Sequence, residues 1–171
     1  MITIRLATIY DAELIAEMSQ KTFYDSFVTY NTKEDMDKFL NEQFTKETLI
    51  KEVGAENNIF LLAYNDKQPV GYARIRENNI PPDLGTNRAI EIARIYAVQS
   101  AIGKGVGRAL MERCMDIARE KGYHTVWLGV WEHNRRAIDF YTRWGFEKFG
   151  EHDFILGNDV QKDWLMKKQI R

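Results

Sequence analysis

The stretch from Glu91 to Leu110 admits few folds. It opens as a β-strand, because Ile92, Ile95, Ala97 and Val98 are apolar and the β-branched residues among them suit a pleated surface. It turns glycine-rich at Gly103, Gly105 and Gly107. It closes as a helix, since Ala109, Leu110, Cys114, Ile117 and Ala118 recur at three- and four-residue spacing. A strand, a glycine loop and a helix start together make an anion site. Glycines let backbone N–H groups converge, and the helix dipole favours negative charge there. The implied ligand carries phosphate.

Two common phosphate loops fit poorly. A P-loop needs serine or threonine after Gly-Lys, and here Lys104 is followed by Gly105. A Rossmann fingerprint needs glycine where Arg108 stands, and its unit opens a chain rather than following ninety-odd residues. Glu132, at the end of the next strand, is the one feature in its favour.

Composition narrows the class. At 171 residues and 20.1 kDa, a single domain over residues 1–171 with a proper core is expected. The longest apolar run, Ile59 to Tyr64, is too short to span a bilayer, and residues 1–5 read as a strand rather than a leader. The lone cysteine, Cys114, lies on the apolar helix face and fits a buried thiol in a reducing, cytoplasmic setting. Residues 1–60 carry eleven Asp/Glu against six Lys/Arg, a balance of −5; the remainder carries fourteen against eighteen, a balance of +4. Solvated helix faces account for this, and so would an anionic ligand on the second half with a cationic one approaching the first. No basic run with interleaved aromatics points to nucleic acid. His124, His133 and His152 lack metal-ligand spacing, so no metal is expected.

Taken in order, Ile2 to Leu6 alternates as a first strand. Asp11 reads as the N-cap of a helix through Ala12, Ile15, Met18 and Thr22. Phe23, Tyr24 and Phe27 then form an aromatic cluster, either core or a wall over a binding site. Thr32 to Asp35 has the form of a capping box opening a helix with Met36, Phe39, Leu40 and Phe44 inward, and a short helix follows around Thr48 to Val53. Ile59 to Tyr64 and Val70 to Arg76 read as a hairpin around residues 65–68, with Gly71 marking a bulge or a close backbone approach. Residues 78–88 form the longest loop, placed to bind an acceptor. The helix from Val106 to Lys121 stops at Gly122, and Thr125 to Val130 reads as a strand covered on both faces. Asn134 caps a helix with Ala137, Ile138 and Tyr141 on one face, ended by Gly145. Strands over 149–156 and 160–166 close the chain.

The segment Ile102-Gly103-Lys104-Gly105-Val106-Gly107 resembles the pyrophosphate loop of the GNAT family of N-acetyltransferases, with Ile102 in place of the usual Arg or Gln. Residues 137–146, with Phe140, Tyr141, Gly145 and Phe146, resemble that family's second signature. Both stand in the right order, one helix and one strand apart. Glu91 to Tyr96, Trp127 to Asn134, His152 to Phe154 and Thr22 to Phe27 are similar to the PaiA-type bacterial spermidine/spermine N-acetyltransferases, and this likeness covers nearly the whole chain.

The resemblance implies an α/β fold: a mixed, strongly twisted central sheet, splayed between two parallel strands, with helices on both faces. It implies acetyl-CoA as co-substrate in the splay. The pantetheine arm would pair along Ile95, Tyr96 and Ala97, and the pyrophosphate would sit on Gly103, Lys104, Gly105, Val106, Gly107 and Arg108. Asn134 would hydrogen-bond the coenzyme, and Arg143 or Lys104 would meet a phosphate. For the chemistry, Glu91 matches the base position and Tyr141 the acid position, with the Ala97 N–H as oxyanion donor. Trp131 and Glu132, with Phe27 as an aromatic wall, are candidates to hold a cationic amine such as a polyamine. A covalent route through Cys114 is disfavoured because no histidine is near it in sequence. The alternatives are a non-catalytic acyl-CoA-binding regulator and an acetyltransferase for protein N-termini. A homodimer is left open.

Overall fold

The computed structural model describes residues 1–171. The strand expected around Ile92 is β4 (Ala89–Ala97), the fourth strand of a seven-stranded sheet. The others are β1 (Ile2–Leu6), β2 (Asn58–Asn65), β3 (Gln68–Arg76), β5 (Thr125–Trp131), β6 (Glu147–Leu156) and β7 (Asp159–Gln169). They lie in the order β1-β2-β3-β4-β5-β7-β6. Every neighbouring pair is antiparallel except β4 and β5.

That parallel pair is short. Ala89, Ile90 and Glu91 face Thr125, Val126 and Trp127, and pairing then stops although both strands continue. A bulge sits where they part: Arg74 lies opposite Arg94 and Ile75 opposite Ile92, so Ala93 has no counterpart. An extra residue bends its strand and increases the local twist, which turns the rest of β4 away from β5. From Leu128 onward β5 stays paired with β7 on its other side. The sheet is therefore mixed and splayed, as the family resemblance implies.

Helices cover both faces. On one, α4 (Val106–Glu120) buries Val106, Leu110, Met111, Cys114 and Met115 against Leu61, Ala73, Ile75, Ile90, Ile92, Val126 and Leu128. The α5 helix (Arg135–Arg143) adds Ile138 and Tyr141 to the same layer. On the other face, α1 (Ala12–Phe27) packs Ile15 and Met18 on Phe60, Leu62 and Tyr72. The helices α2 (Lys33–Glu42) and α3 (Lys46–Glu52) close that side through Met36, Phe39 and Leu49. No helix is long and apolar enough to cross a membrane.

Several local expectations are corrected. The Asp11 side chain does not cap α1. It joins Thr8 in a capping box one turn earlier, and its carboxylate takes two bonds from Arg5 at 2.8 and 2.9 Å. The aromatic segment belongs to α1, which runs to Phe27 because Phe23 and Phe27 continue its inward face. Thr32 does cap α2, but Asp35 does not reach back; it accepts from the Asn158 amide at 2.9 Å and ties α2 to the β6–β7 turn. Gly71 meets both expectations. A register shift lies beside it, and a Cβ there would stand 2.7 Å from the Tyr96 carbonyl oxygen and 2.7 Å from Val106 Cγ1.

Candidate active site

The open end of the splay is lined from the backbone outward. The Val98 amide donates to Val70 O at 2.9 Å, toward β3. Successive strand residues turn their polar groups to opposite edges. Ala97 and Ile95 therefore direct theirs to the β5 side, where no strand pairs beyond Glu91. A ligand chain lying along this edge would find the hydrogen-bonding pattern of a missing strand. The Ile95 and Ala97 side chains pack into the α4 layer, while Tyr96 packs on the α1 side with its ring 6.1 Å from Tyr72.

The loop beyond this edge is shaped for an anion. Gly103 and Gly105 hold φ of 82° and 87°, the left-handed region that glycine adopts without strain. The Ala109 amide bonds Gly105 O, so the amides of Val106, Gly107 and Arg108 form the unpaired first turn of α4. Ile102, Lys104 and Arg108 are exposed around it. Gly107 faces α5: a Cβ there would lie 3.5 Å from the Phe140 ring. Arg143 is exposed one turn beyond Phe140 on the same helix. Asn134 spends its Oδ1 on the Ala137 amide at 3.2 Å as the α5 N-cap, which leaves only its Nδ2 to donate to a ligand.

Tyr141 is buried, edge-on to Phe140 and Phe146 at 5.6 and 5.9 Å. Burial raises its pKa well above that of a free phenol. The O–H is thus retained across the neutral range. Burial likewise pushes Tyr96 up, and the Tyr72 and Tyr141 phenols add to the effect. Cys114 is buried and its thiol is pushed up to about 12 by burial, which removes it as a nucleophile.

Glu91, the candidate base, stands at the closed end of the splay, opposite Trp127, where its carboxylate is ion-paired. Its Oε1 accepts from Arg76 Nε at 2.7 Å and from Asn79 Nδ2 at 2.9 Å, and its side chain is 8% exposed. Asn79 also accepts the Trp127 indole N–H on its carbonyl at 3.0 Å. Glu91 therefore fastens the 78–88 loop to the base of the splay.

On the acceptor side, Phe27 is core and wall at once. It stacks on Phe23 at 4.5 Å and backs Trp131 at 5.4 Å. Trp131 is met edge-on by Tyr30 at 5.3 Å. Tyr30, Trp131, Glu132, Asp159 and Gln161 line a cavity of about 290 Å³. His133 and Val160 complete the lining, so the cavity offers two carboxylates, two aromatic rings and an imidazole whose Nε2 lies 3.4 Å from Glu132.

Three features escaped the sequence reading. Arg94 pairs with both oxygens of Glu52 at 2.7 and 2.9 Å, and Arg74 meets the same carboxylate at 3.1 Å, which locks α3 to the sheet. Burial pulls Arg74 down to about 10, so it remains protonated at neutral pH. Asp159 brings the second carboxylate to the cavity. Asp163 lies beneath His152, with Nε2 and Oδ2 3.4 Å apart. The alternation along β7 held the signal for Asp163: it occupies the same face as Gln161 and buried Leu165.

These features can be set beside known proteins. The acetyltransferase (GNAT) family matches residues 17–146. An uncharacterized N-acetyltransferase of Lactobacillus delbrueckii subsp. lactis is 36% identical over 158 residues, covering 92% of this chain and 91% of the relative. A spermidine N(1)-acetyltransferase of Thermoplasma acidophilum is 26% identical over 161 residues, covering 91% and 95%. The crystal structure of the PaiA N-acetyltransferase from Thermoplasma acidophilum in complex with coenzyme A superposes with a TM-score of 0.77, at 22% identity over 99% of each chain. The splay, the glycine loop and the helix signatures are thus those of a shared fold, and the chain belongs to the GNAT family of acetyltransferases.

Proposed function

We propose that the chain, acting as one domain, transfers the acetyl group of acetyl-CoA directly to a primary amine of a polyamine in a ternary complex. The coenzyme lies along Ile95 to Ala97 with its pyrophosphate on the amides from Gly103 to Arg108; Asn134 Nδ2, Lys104 and Arg143 complete its contacts. The observation that carries the acceptor assignment is the cavity between Tyr30, Trp131, Glu132 and Asp159. A second ammonium group, held there by two carboxylates and two ring faces, anchors a polyamine while its other end reaches the thioester. A monoamine leaves this cavity empty. The lone buried thiol fits a cytoplasmic setting.

In this arrangement the amine attacks the thioester carbon and the carbonyl oxygen gains charge against the Ala97 N–H. The sulfur then departs as thiolate. A thiol near pKa ~8.5 is more acidic than a buried phenol, so Tyr141 supports the leaving group as a hydrogen-bond donor while keeping its proton. Glu91 holds the closed end of the splay through Arg76 and Asn79.

The test is steady-state thiol release with spermidine in wild-type, Glu132→Gln and Asp159→Asn proteins at two ionic strengths. Removing either carboxylate should raise KM for spermidine about 5- to 10-fold with kcat little changed, as for a lost partly screened ion pair of about 1 kcal/mol. Salt should raise the wild-type KM and narrow the difference. Equal KM in all three proteins would remove the cavity from acceptor binding.

A further inference from the structure

Acetyl transfer to an ammonium group needs a proton acceptor beside the nitrogen, and Glu91 is engaged by Arg76 and Asn79. A second acid–base pair stands on the same side of the sheet. His152 on β6 lies opposite Asp163 on β7, and Asp163 lies opposite Trp131 on β5. Cross-strand partners share a face, so the three form one row running to the acceptor cavity. His152 Nε2 is 3.4 Å from Asp163 Oδ2. The carboxylate is 18% exposed and the imidazole 50%, so the acid is anchored while half of the ring is open to solvent. The floor beside them is Gly129, on β5 past the point where β4 has left it. A Cβ at Gly129 would stand 3.7 Å from Asp163 Oδ2 and 3.9 Å from His152 Cε1.

We propose that His152, oriented by Asp163, takes the proton of the acceptor amine. The inference rests on the acetyl-transfer reading above. With Nε2–H turned to Asp163, the free lone pair is on Nδ1. Nδ1 takes one proton from the bound ammonium, which frees the nitrogen pair to form the C–N bond. The C–S bond breaks with its pair on sulfur, under the Tyr141 hydroxyl. The second N–H proton and the imidazolium proton leave to water through the exposed edge of the ring. Burial raises the Asp163 carboxyl and the His152 ring beside it pulls the other way, so the charge on Asp163 is favoured by the imidazolium it faces; Asp163 is a positioning residue.

The ionisable groups on the elements that flank the pair include Tyr30 after α1, Arg94 and Tyr96 on β4, Glu132 and His133 after β5, Lys148, Glu151 and Asp153 on β6, and Asp159 and Lys162 on β7. Arg94 is held by Glu52, and His133 Nε2 lies 3.4 Å from Glu132. Lys148 with Glu151, and Lys162 with Asp153, pair with each other.

The experiment is the pH dependence of kcat and kcat/KM for spermidine, with acetyl-CoA affinity by calorimetry and a thermal melt on each preparation. The half-exposed ring makes His152→Gln tolerable to the fold. It should lower kcat about 10²- to 10³-fold at pH 7, abolish the acidic limb between pH 5 and 8, and recover with rising pH as free amine accumulates. Acetyl-CoA affinity should stay within about twofold. Asp163→Asn should lower kcat at least ~10-fold and shift the acidic limb, because the imidazolium loses its anion; Asp163→Glu should restore part of both. Glu91→Gln should lose rate equally at every pH. Full turnover by His152→Gln at pH 7, or a loss uniform across pH, overturns the inference while leaving acetyl transfer intact. Wild-type protein that binds acetyl-CoA but acetylates no amine or peptide overturns the acetyl-transfer reading, and this inference with it.

Discussion

Tyr141 shows how far single residues can be read. Its place on the helix face with Ile138 follows from spacing, and the structure buries it there with no hydroxyl partner competing for the proton. Tyr141→Phe removes one oxygen and keeps the packing. Acetyl-CoA binding by calorimetry should be unchanged, while kcat by thiol release should fall about 10²-fold. Unchanged kcat would take the phenol out of the reaction. Glu91 was legible as a carboxylate on the right strand, but not as an ion-paired one, because Arg76 and Asn79 reach it through a hairpin register that spacing does not give. Asp11 stands at the N-cap position of α1 as read, but its side chain serves Thr8 and Arg5 instead. Its Arg5 partner bonds and the Thr8 amide hold its carboxylate down to about 2 against an unfolded value near ~3.9. A carboxylate depressed in the folded state stabilises it above the unfolded value, and the contribution fades as pH falls through the folded one. Asp11→Asn should therefore lower Tm at pH 7, and the difference from wild type should shrink between about pH 4 and pH 2. A constant difference would contradict the pairing.

At the scale of elements, periodicity and caps located each strand and helix to within a few residues, and glycines marked the turns. What they could not give is how one element meets another. Gly71 makes the point: sequence flags a glycine in a strand, and only the assembled sheet shows Tyr96 and Val106 pressed against it. Gly71→Ala must push β3 from β4 or shift the first residue of α4. Either change should cost about 1–3 kcal/mol by overpacking, read as a lowered Tm. Because the shift reaches the glycine loop, acetyl-CoA affinity should fall as well. A variant with wild-type Tm and affinity would show that the contact relaxes freely. Leu110, fully buried in the α4 layer, is the control: Leu110→Ala should cost about 2–5 kcal/mol without a specific effect on coenzyme affinity once folded protein is selected.

For the whole molecule, the splayed α/β fold was legible through two signatures, while the strand order β5-β7-β6 was not, because nothing local says that β7 inserts beside β5. That insertion brings Asp159 and Asp163 beside Trp131, so the acceptor side was read only in part. Lys104 and Arg108 stand exposed on the glycine loop, while the carboxylates of the cavity, Glu132 and Asp159, come from the net-positive second part of the chain, so the excess acid of residues 1–60 is not what lines it. Acetyl-CoA at about 100 times its Kd should stabilise the protein by roughly 2.7 kcal/mol, and NADH at the same concentration should do much less. Equal stabilisation by NADH would return the glycine loop to a dinucleotide site. The most direct test of the account is a competition. Wild-type protein is given acetyl-CoA with equal concentrations of spermidine, a monoamine of similar length and a peptide with a free N-terminus, and the products are identified by mass spectrometry at low conversion. Acetylated spermidine should form first and in large excess; acetylated peptide with spermidine untouched, or no acetylated product at all, would contradict it.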